Sequence, residues 1–497
     1  MKFSPATRTK KDRLDGAISA GLLAAIVLTA LAHGTVEAWS VLLFQLIVLT
    51  LMVLWTIKVV REQRFKLIIP EVALPILALI GVGLLQSISL TGSGGVRKSL
   101  SFDVESTRQT VIVLVFLLIS FMIGANFLTS RRRLAAAVGV LTMFGLVLGV
   151  FALVQHFTWN GKLYWFRPNT VSTSSFGPFV NHNHFAGYME LLIPLPIGLI
   201  ITRAVRGETR LLYGFAASAM GIALVASLSR GGMISLAAAL IFLILMSVRL
   251  AKPTLDNGKA DHRGRNIERR LHGVLDLSSR ISARASRVLI VLAIAGAITV
   301  GLIWVGPEPV TRRITDGQAA SGNQQQALFS NRAWVWRDTL SMIRANPLLG
   351  VGLGAYGTAF SIYTQSDGSI RVPQAHNDYL QVVADCGVVG GVIALWFLFL
   401  TFRAIWRGVG ARDPLMAGLA LGCGAGVFGI LVHSLFDFNL QLPGTALLFL
   451  VFSAVLAHVS AAVNTAESSR VPTLLQVVES PLEKGVPAAK AARGVAL

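Results

Sequence analysis

Hydrophobic positions along this chain gather in long unbroken runs rather than alternating with polar ones. Windows of ~17–25 residues with few charges recur, and that length spans a bilayer as a helix. Twelve spans are predicted, at 16–32, 40–60, 68–90, 110–127, 134–157, 184–201, 213–228, 231–248, 288–305, 380–402, 415–435 and 442–463. The fold class is therefore all-α, a polytopic membrane protein. It divides into helices 1–9 over 1–305, a long polar loop over 306–379, helices 10–12 over 380–463, and a tail over 464–497. The tail is rich in Ser, Pro, Ala and Lys without periodicity and is expected to be disordered. No short apolar segment with a small-residue cleavage site precedes the first span, so that span is expected to remain as a signal anchor.

Composition agrees: 54% of the 497 residues are hydrophobic, only 14% are charged, and the mean hydropathy is +0.66. A net charge of +20 would suggest a nucleic-acid partner in a soluble protein. Here its placement decides the reading, because cytoplasmic loops carry the excess of Lys and Arg. With both termini inside, the cytoplasmic segments hold 32 of the 44 basic residues, and no nucleic acid is implied. This topology puts the 90–110 and 158–183 loops, a short turn at Arg230 and the 306–379 loop on the outer face. The most basic inner segment, 249–287, reads either as a platform for anionic membrane lipids or simply as a topology determinant. Cys386 and Cys423 fit neither a disulfide framework nor a zinc site and read as small core residues.

Ionisable groups within the spans are few, Glu190 being the clearest, with His433 and Asp437 near the outer end of the eleventh. A proton-coupled transporter usually places several at mid-depth. The polar, aromatic and cationic residues gather instead in the outer loops, which favours surface chemistry. In the long loop, Ser330 or Asn331 is suited to cap a helix that Asn346 and Pro347 end, with Trp336, Leu340 and Ile343 forming its apolar stripe. Arg332 and Arg337, five positions apart, point about 140° from each other at ~100° per residue, so one is expected to face a site and the other solvent or headgroups. The following GVGLGAY lacks a phosphate-loop lysine and reads as a tight turn. In the second outer loop, Arg167, Asn181 and Asn183 lead into the sixth span, while His182 and His184 lack a third ligand in register for a metal. Arg230, in the short hairpin SLSRGGMISL, reads as a snorkelling arginine or as a guanidinium held to grip a diphosphate bidentately.

The stretch VPQAHNDYLQVVADCGVVGG joins loop to membrane. Pro373 blocks helix upstream, Asn377 or Asp378 can cap, and His376 lies at or just before a helix N-terminus. The dipole there disfavours imidazolium, so a neutral ring able to accept a proton is expected. By itself His376 reads as a helix cap, as a hydrogen-bonder in the headgroup zone, or as a base.

The order of FGPFVNHNHFAGY, SRGG, an arginine-bearing loop helix ending NPLLGVGLGAY, and HNDYLQVVADCGVVGG resembles the O-antigen ligase and O-antigen polymerase superfamily. The resemblance spans from about the fifth span to the tenth. It implies a metal-independent, cofactor-free, inverting glycosyltransferase of the GT-C type in the bacterial inner membrane. Such an enzyme takes a glycan from an undecaprenyl diphosphate donor at the periplasmic face and passes it to lipid A-core or to a growing glycan. It also implies that His376 activates the acceptor hydroxyl and that Arg230, Arg332 and Arg167 bind the donor diphosphate, with Asn183, Asn377 and Asp378 in support. A ligase acting on lipid A-core is the leading expectation, a polymerase shares its chemistry, and a transporter or flippase of lipid-linked sugars is the alternative from another class.

Overall fold

The computed structural model describes residues 5–91, 97–168, 175–250, 285, 287–296, 299, 332–365, 372–467 and 476–481. The apolar runs form helices α1 (Pro5–Leu31), α2 (Ala38–Glu62), α3 (Ala73–Gln86), α4 (Val104–Phe127) and α5 (Arg131–Phe157). They continue as α6 (His182–Leu192), α7 (Pro194–Ile201), α8 (Glu208–Ala226), α9 (Arg230–Ser247) and the short α10 (Arg287–Gly296). The polar loop contributes α11 (Ala333–Ala345) and α12 (Tyr356–Tyr363), and the chain closes with α13 (Asp378–Gly408), α14 (Pro414–His433) and α15 (Pro443–Glu467). Among the described residues ten helices are long and apolar enough to cross a membrane, with α6 and α7 counted as one. The expected third span corresponds to the shorter α3, and the described part of the ninth, 288–296 and 299, is helical. The expected sixth span is divided because Pro194 has no N–H to continue α6 and opens α7 instead.

Among the described residues three two-stranded antiparallel ribbons accompany these helices. β1 (Arg64–Ile69) pairs with β6 (Gln476–Pro481), β2 (Ser89–Thr91) with β3 (Arg97–Ser99), and β4 (Lys162–Leu163) with β5 (Arg167–Pro168). The tail expected to lack structure thus contributes one strand, which takes up the backbone groups of β1.

The bundle has two unlike ends. Ion pairs Lys58–Asp15, Arg133–Asp15, Arg131–Asp413 and Arg403–Glu71 gather at one. The loop helices and His376 lie at the other. The centre is α6–α7 with α14, whereas α2 shows most of its surface outward. Without a hydrophobic drive between helices in lipid, close approach of small residues supplies the packing. Gly422 of α14 meets α6–α7 so closely that a Cβ there would stand 2.8 Å from the Leu195 Cα and 2.9 Å from the Pro194 carbonyl oxygen.

The feature that shapes the site is a break in α13. Gly387 adopts φ 61° and ψ −158°, which ends the first helical segment after Cys386. The loop 347–354 enters the break and satisfies its backbone. Val351 N donates to the Ala384 carbonyl at 3.0 Å, Gly352 N to the Asp385 carbonyl at 3.0 Å, and Val388 N to the Pro347 carbonyl at 2.8 Å. Gln86, at the end of α3, completes the join by donating to the Leu349 and Asp385 carbonyls (2.6 and 2.9 Å) and accepting from Leu353 N (2.9 Å). Such backbone is tolerated at membrane depth only when other protein groups bond it. The expectation of one continuous helix over 380–402 is corrected accordingly. Val388 to Gly408 alone provides about 30 Å at ~1.5 Å per residue, enough to cross the bilayer. A Cβ on Gly387 would stand 2.3 Å from the Leu348 carbonyl carbon, in a conformation that L-residues rarely adopt. Gly387→Ala is therefore expected to lose about 3 kcal/mol or more from combined overpacking and strain. Size-exclusion of the detergent-extracted variant checks this, the expected result being loss of the monodisperse peak.

Candidate active site

His376 lies at φ 51°, a left-handed conformation uncommon for a side-chain-bearing residue, and both flanks hold it there. Upstream, Ala375 N donates to Gln381 Oε1 at 2.7 Å and the Ala375 carbonyl accepts from Trp336 Nε1 at 3.0 Å. Downstream, Asn377 caps α13 by accepting from Tyr379 N and Leu380 N, and Asp378 N donates to the Ser434 carbonyl. The sequence left the cap open between Asn377 and Asp378; the structure assigns it to Asn377.

The same two residues fix what faces the histidine. Asn377 Nδ2 donates to the Leu435 carbonyl, while the Asp378 carboxylate accepts from Ser434 Oγ (2.7 Å) and Leu440 N (3.3 Å). These bonds grip the turn between α14 and α15 on both sides of Asp437. His376 Nδ1 then lies 3.2 Å from Asp437 Oδ1. The histidine keeps 25% of its side-chain surface exposed and the aspartate only 1%, so the ring faces outward with a buried carboxylate behind it.

Asp437 is the hub. Its Oδ1 also accepts from Phe438 N at 3.0 Å, and its Oδ2 accepts from Asn183 Nδ2 at 2.7 Å and lies 3.6 Å from an Arg332 guanidinium nitrogen. Burial by itself raises its pKa, but the hydrogen bond from His376, with the Arg332 and His184 charges, outweighs burial and holds the carboxyl well below the usual carboxylate range. An ionised carboxylate can only accept. The proton between the two groups therefore belongs to His376 Nδ1, which donates to Asp437. The Phe438 ring packs edge-on against both His376 and His184, with centroids 4.9 and 5.0 Å away.

Of the three expected arginines, one reaches this carboxylate. Arg332 contacts the hub directly and Arg337 is exposed beside Asp338, the separation their spacing implies. Arg230 opens α9 one residue after Ser229, which caps that helix through Gly232 N and donates to Asn183 Oδ1 at 2.8 Å. A continuous path, Ser229–Asn183–Asp437–His376, thus links the Arg230 turn to the histidine. Gly231 allows this approach, since a Cβ there would come 2.8 Å from His433 Nε2. His433 in turn hydrogen-bonds the buried Glu190 at 2.8 Å. Arg167 is placed otherwise: it is paired with Glu37, and its hydrogen bond holds that carboxyl below its ordinary range.

Sequence reasoning missed the role of Asp437, which lies 61 positions from His376. It also misread α11. The buried face is Val335, Asp338, Thr339 and Met342, while the expected stripe is half-buried at Trp336 and Ile343 and exposed at Leu340. Thr339 goes inward because its hydroxyl bonds the Tyr356 hydroxyl at 2.6 Å, and Asp338 because it accepts from Gln365 N at 3.1 Å. The expected caps Ser330 and Asn331 lie outside the described residues.

The helices and spans define an all-α polytopic membrane protein. Residues 215–395, the segment that carries Arg230, Arg332 and His376, match the family model described as O-antigen ligase. That family implies activity of the glycosyltransferase type, on lipid-linked glycan in a membrane. None of the curated proteins matches the chain.

Proposed function

We propose that the protein is a periplasmic-face glycosyltransferase of the bacterial inner membrane, an O-antigen ligase that moves a glycan from undecaprenyl diphosphate to lipid A-core. The observation that carries this reading is the outward-facing His376 backed by buried Asp437, with Arg332 on the same carboxylate and the Arg230 turn joined to it through Asn183 and Ser229. His376 Nε2 takes the proton of the acceptor hydroxyl as its oxygen attacks the anomeric carbon. The bond from that carbon to the diphosphate breaks, and undecaprenyl diphosphate leaves with the electron pair. Arg230, Arg332 and the positive end of α9 balance the charge that grows on the leaving group, so the displacement in this reading requires no metal. A single displacement inverts the anomeric centre. Arg167, tied to Glu37, serves as a more distant contact for the donor.

The Glu190–His433 pair is the observation that favours a transporter, since both groups lie inside spans. They bond each other, however, which neutralises the pair and fits a packing role. The lipopolysaccharide gel profile of a deletion strain separates the readings. Free core with accumulated long lipid-linked glycan is the expected result; core bearing one repeat unit would identify a polymerase, and glycan retained on the cytoplasmic side a transporter. Arg230→Lys keeps the charge but loses the planar fork, and it is expected to reduce transfer about tenfold or more with normal membrane levels of protein. Full transfer by the lysine variant would make Arg230 a snorkelling anchor.

A further inference from the structure

Beside the path from Ser229 to Asp437 lies a cavity of about 380 Å³ with no part in the chemistry above. Its walls include Gln155, His156 and Trp159 from the end of α5, Phe176 from the FGPF turn, His182 from the first turn of α6, and Leu228 before α9. Both sides adjoin the proposed site in sequence: His182 precedes Asn183 and Leu228 precedes Ser229. Consecutive residues on a helix point ~100° apart, so the N-terminus of α6 turns Asn183 towards Asp437 and His182 towards the cavity.

The walls are built rather than incidental. Gln155 donates to the Gly177 carbonyl at 3.0 Å and accepts from Tyr164 N at 2.8 Å, which staples the FGPF turn and the β4–β5 ribbon to α5. Phe176 and Phe179 exchange backbone hydrogen bonds at 3.1 and 3.2 Å. Phe176 is buried, with its ring 5.2 Å from that of His156, while Trp159 is 43% exposed at the rim.

The volume falls at the low end of the ~300–1,000 Å³ usual for small-ligand pockets. Among the described residues no arginine or lysine lines it, which argues against a diphosphate subsite. Against a lipid tail the His156 imidazole would lose hydration, which argues against an acyl or prenyl occupant. Aromatic faces beside hydrogen-bonding edges suit a ligand whose own faces are apolar C–H and whose rim is hydroxyl. We infer that this cavity is a saccharide subsite that seats a sugar unit of one of the two glycan substrates, a reading that rests on the proposed glycosyl transfer.

The test uses the purified full-length chain in lipid nanodiscs. Two soluble probes are titrated separately and followed by NMR of the saccharide: the oligosaccharide released from the strain's lipid-linked glycan, and the core oligosaccharide released from its lipid A. One of them is expected to bind saturably, and which one names the source. Trp159→Ala and His182→Ala should each weaken that binding tenfold or more, while Trp159→Phe, which keeps a ring, should stay within about threefold. In the transfer assay Trp159→Ala should raise KM for the same substrate tenfold with kcat within twofold. Binding of neither saccharide, binding unchanged in both alanine variants, or transfer with unaltered KM would overturn the subsite and leave the proposed function standing. Saccharide binding lost in the variants with no transfer by the wild-type protein would uphold the subsite and overturn the proposed function.

Discussion

Asp437→Asn is expected to lower glycosyl transfer by about 10³-fold or more while the protein still reaches the membrane folded. The amide has the same shape and keeps an oxygen for Phe438 N or Asn183, so the turn between α14 and α15 stays gripped by Asp378 and Asn377. What it loses is the negative charge. Without it the imidazolium that forms as His376 takes the acceptor proton has no buried counter-charge, and an amide N–H aimed at Nδ1 favours the wrong tautomer. The equivalent change in the Ser-His-Asp triad costs about 10⁴-fold by the same route. Arg332 also loses its partner, so donor KM should rise as kcat falls. Steady-state kinetics on reconstituted enzyme checks both; kcat within tenfold of wild type would mean that Asp437 only positions the ring.

His376→Gln is expected to be at least as damaging, with transfer reduced to near background and donor binding unchanged. Glutamine can hydrogen-bond Asp437 and the acceptor but cannot accept a proton near neutral pH, and a positioned base is worth ~10²–10⁴-fold. The left-handed backbone adds a specific expectation. Because Gln381, Trp336 and Ser434 hold the flanking backbone, the variant should retain the local fold despite φ 51° at a non-glycine position. Donor retention measured on nanodiscs with radiolabelled lipid-linked glycan checks that the loss is chemical rather than structural. Near wild-type transfer by the glutamine variant would move the base elsewhere or remove the need for one.

Much of this molecule is legible in its sequence because bilayer thickness imposes a length on apolar runs. The apolar runs become helices wherever they are described, and the one that comes out short, α3, is instructive. α3 stops at Gln86 because that amide turns to bond the Leu349 and Asp385 carbonyls, which no hydropathy window registers. The break at Gly387 is equally silent. VADCGVVGG reads as uninterrupted membrane helix, and only the opposing loop from Pro347 to Gly354 shows why the backbone departs from it. His376 and the cap at Asn377 are local signals and could be read directly. Asp437 sits among the apolar residues of SLFDFNLQLPG, and nothing nearby says that it belongs to a histidine in another loop. The buried face of α11 was misjudged for a related reason: Thr339 and Asp338 go inward to satisfy polar partners that lie outside the helix.

Whether His376 and Asp437 act as one unit in moving the acceptor proton is measured by a double-mutant cycle. Single-turnover transfer from preloaded lipid-linked glycan to lipid A-core is followed for wild type, His376→Gln, Asp437→Asn and the double variant in the same nanodiscs. Groups that work as a unit are non-additive. The double variant is expected to be about as slow as His376→Gln alone, within a few-fold. Losses that multiply across the two sites would contradict this, since Asp437 would then act on the reaction independently of the histidine it touches.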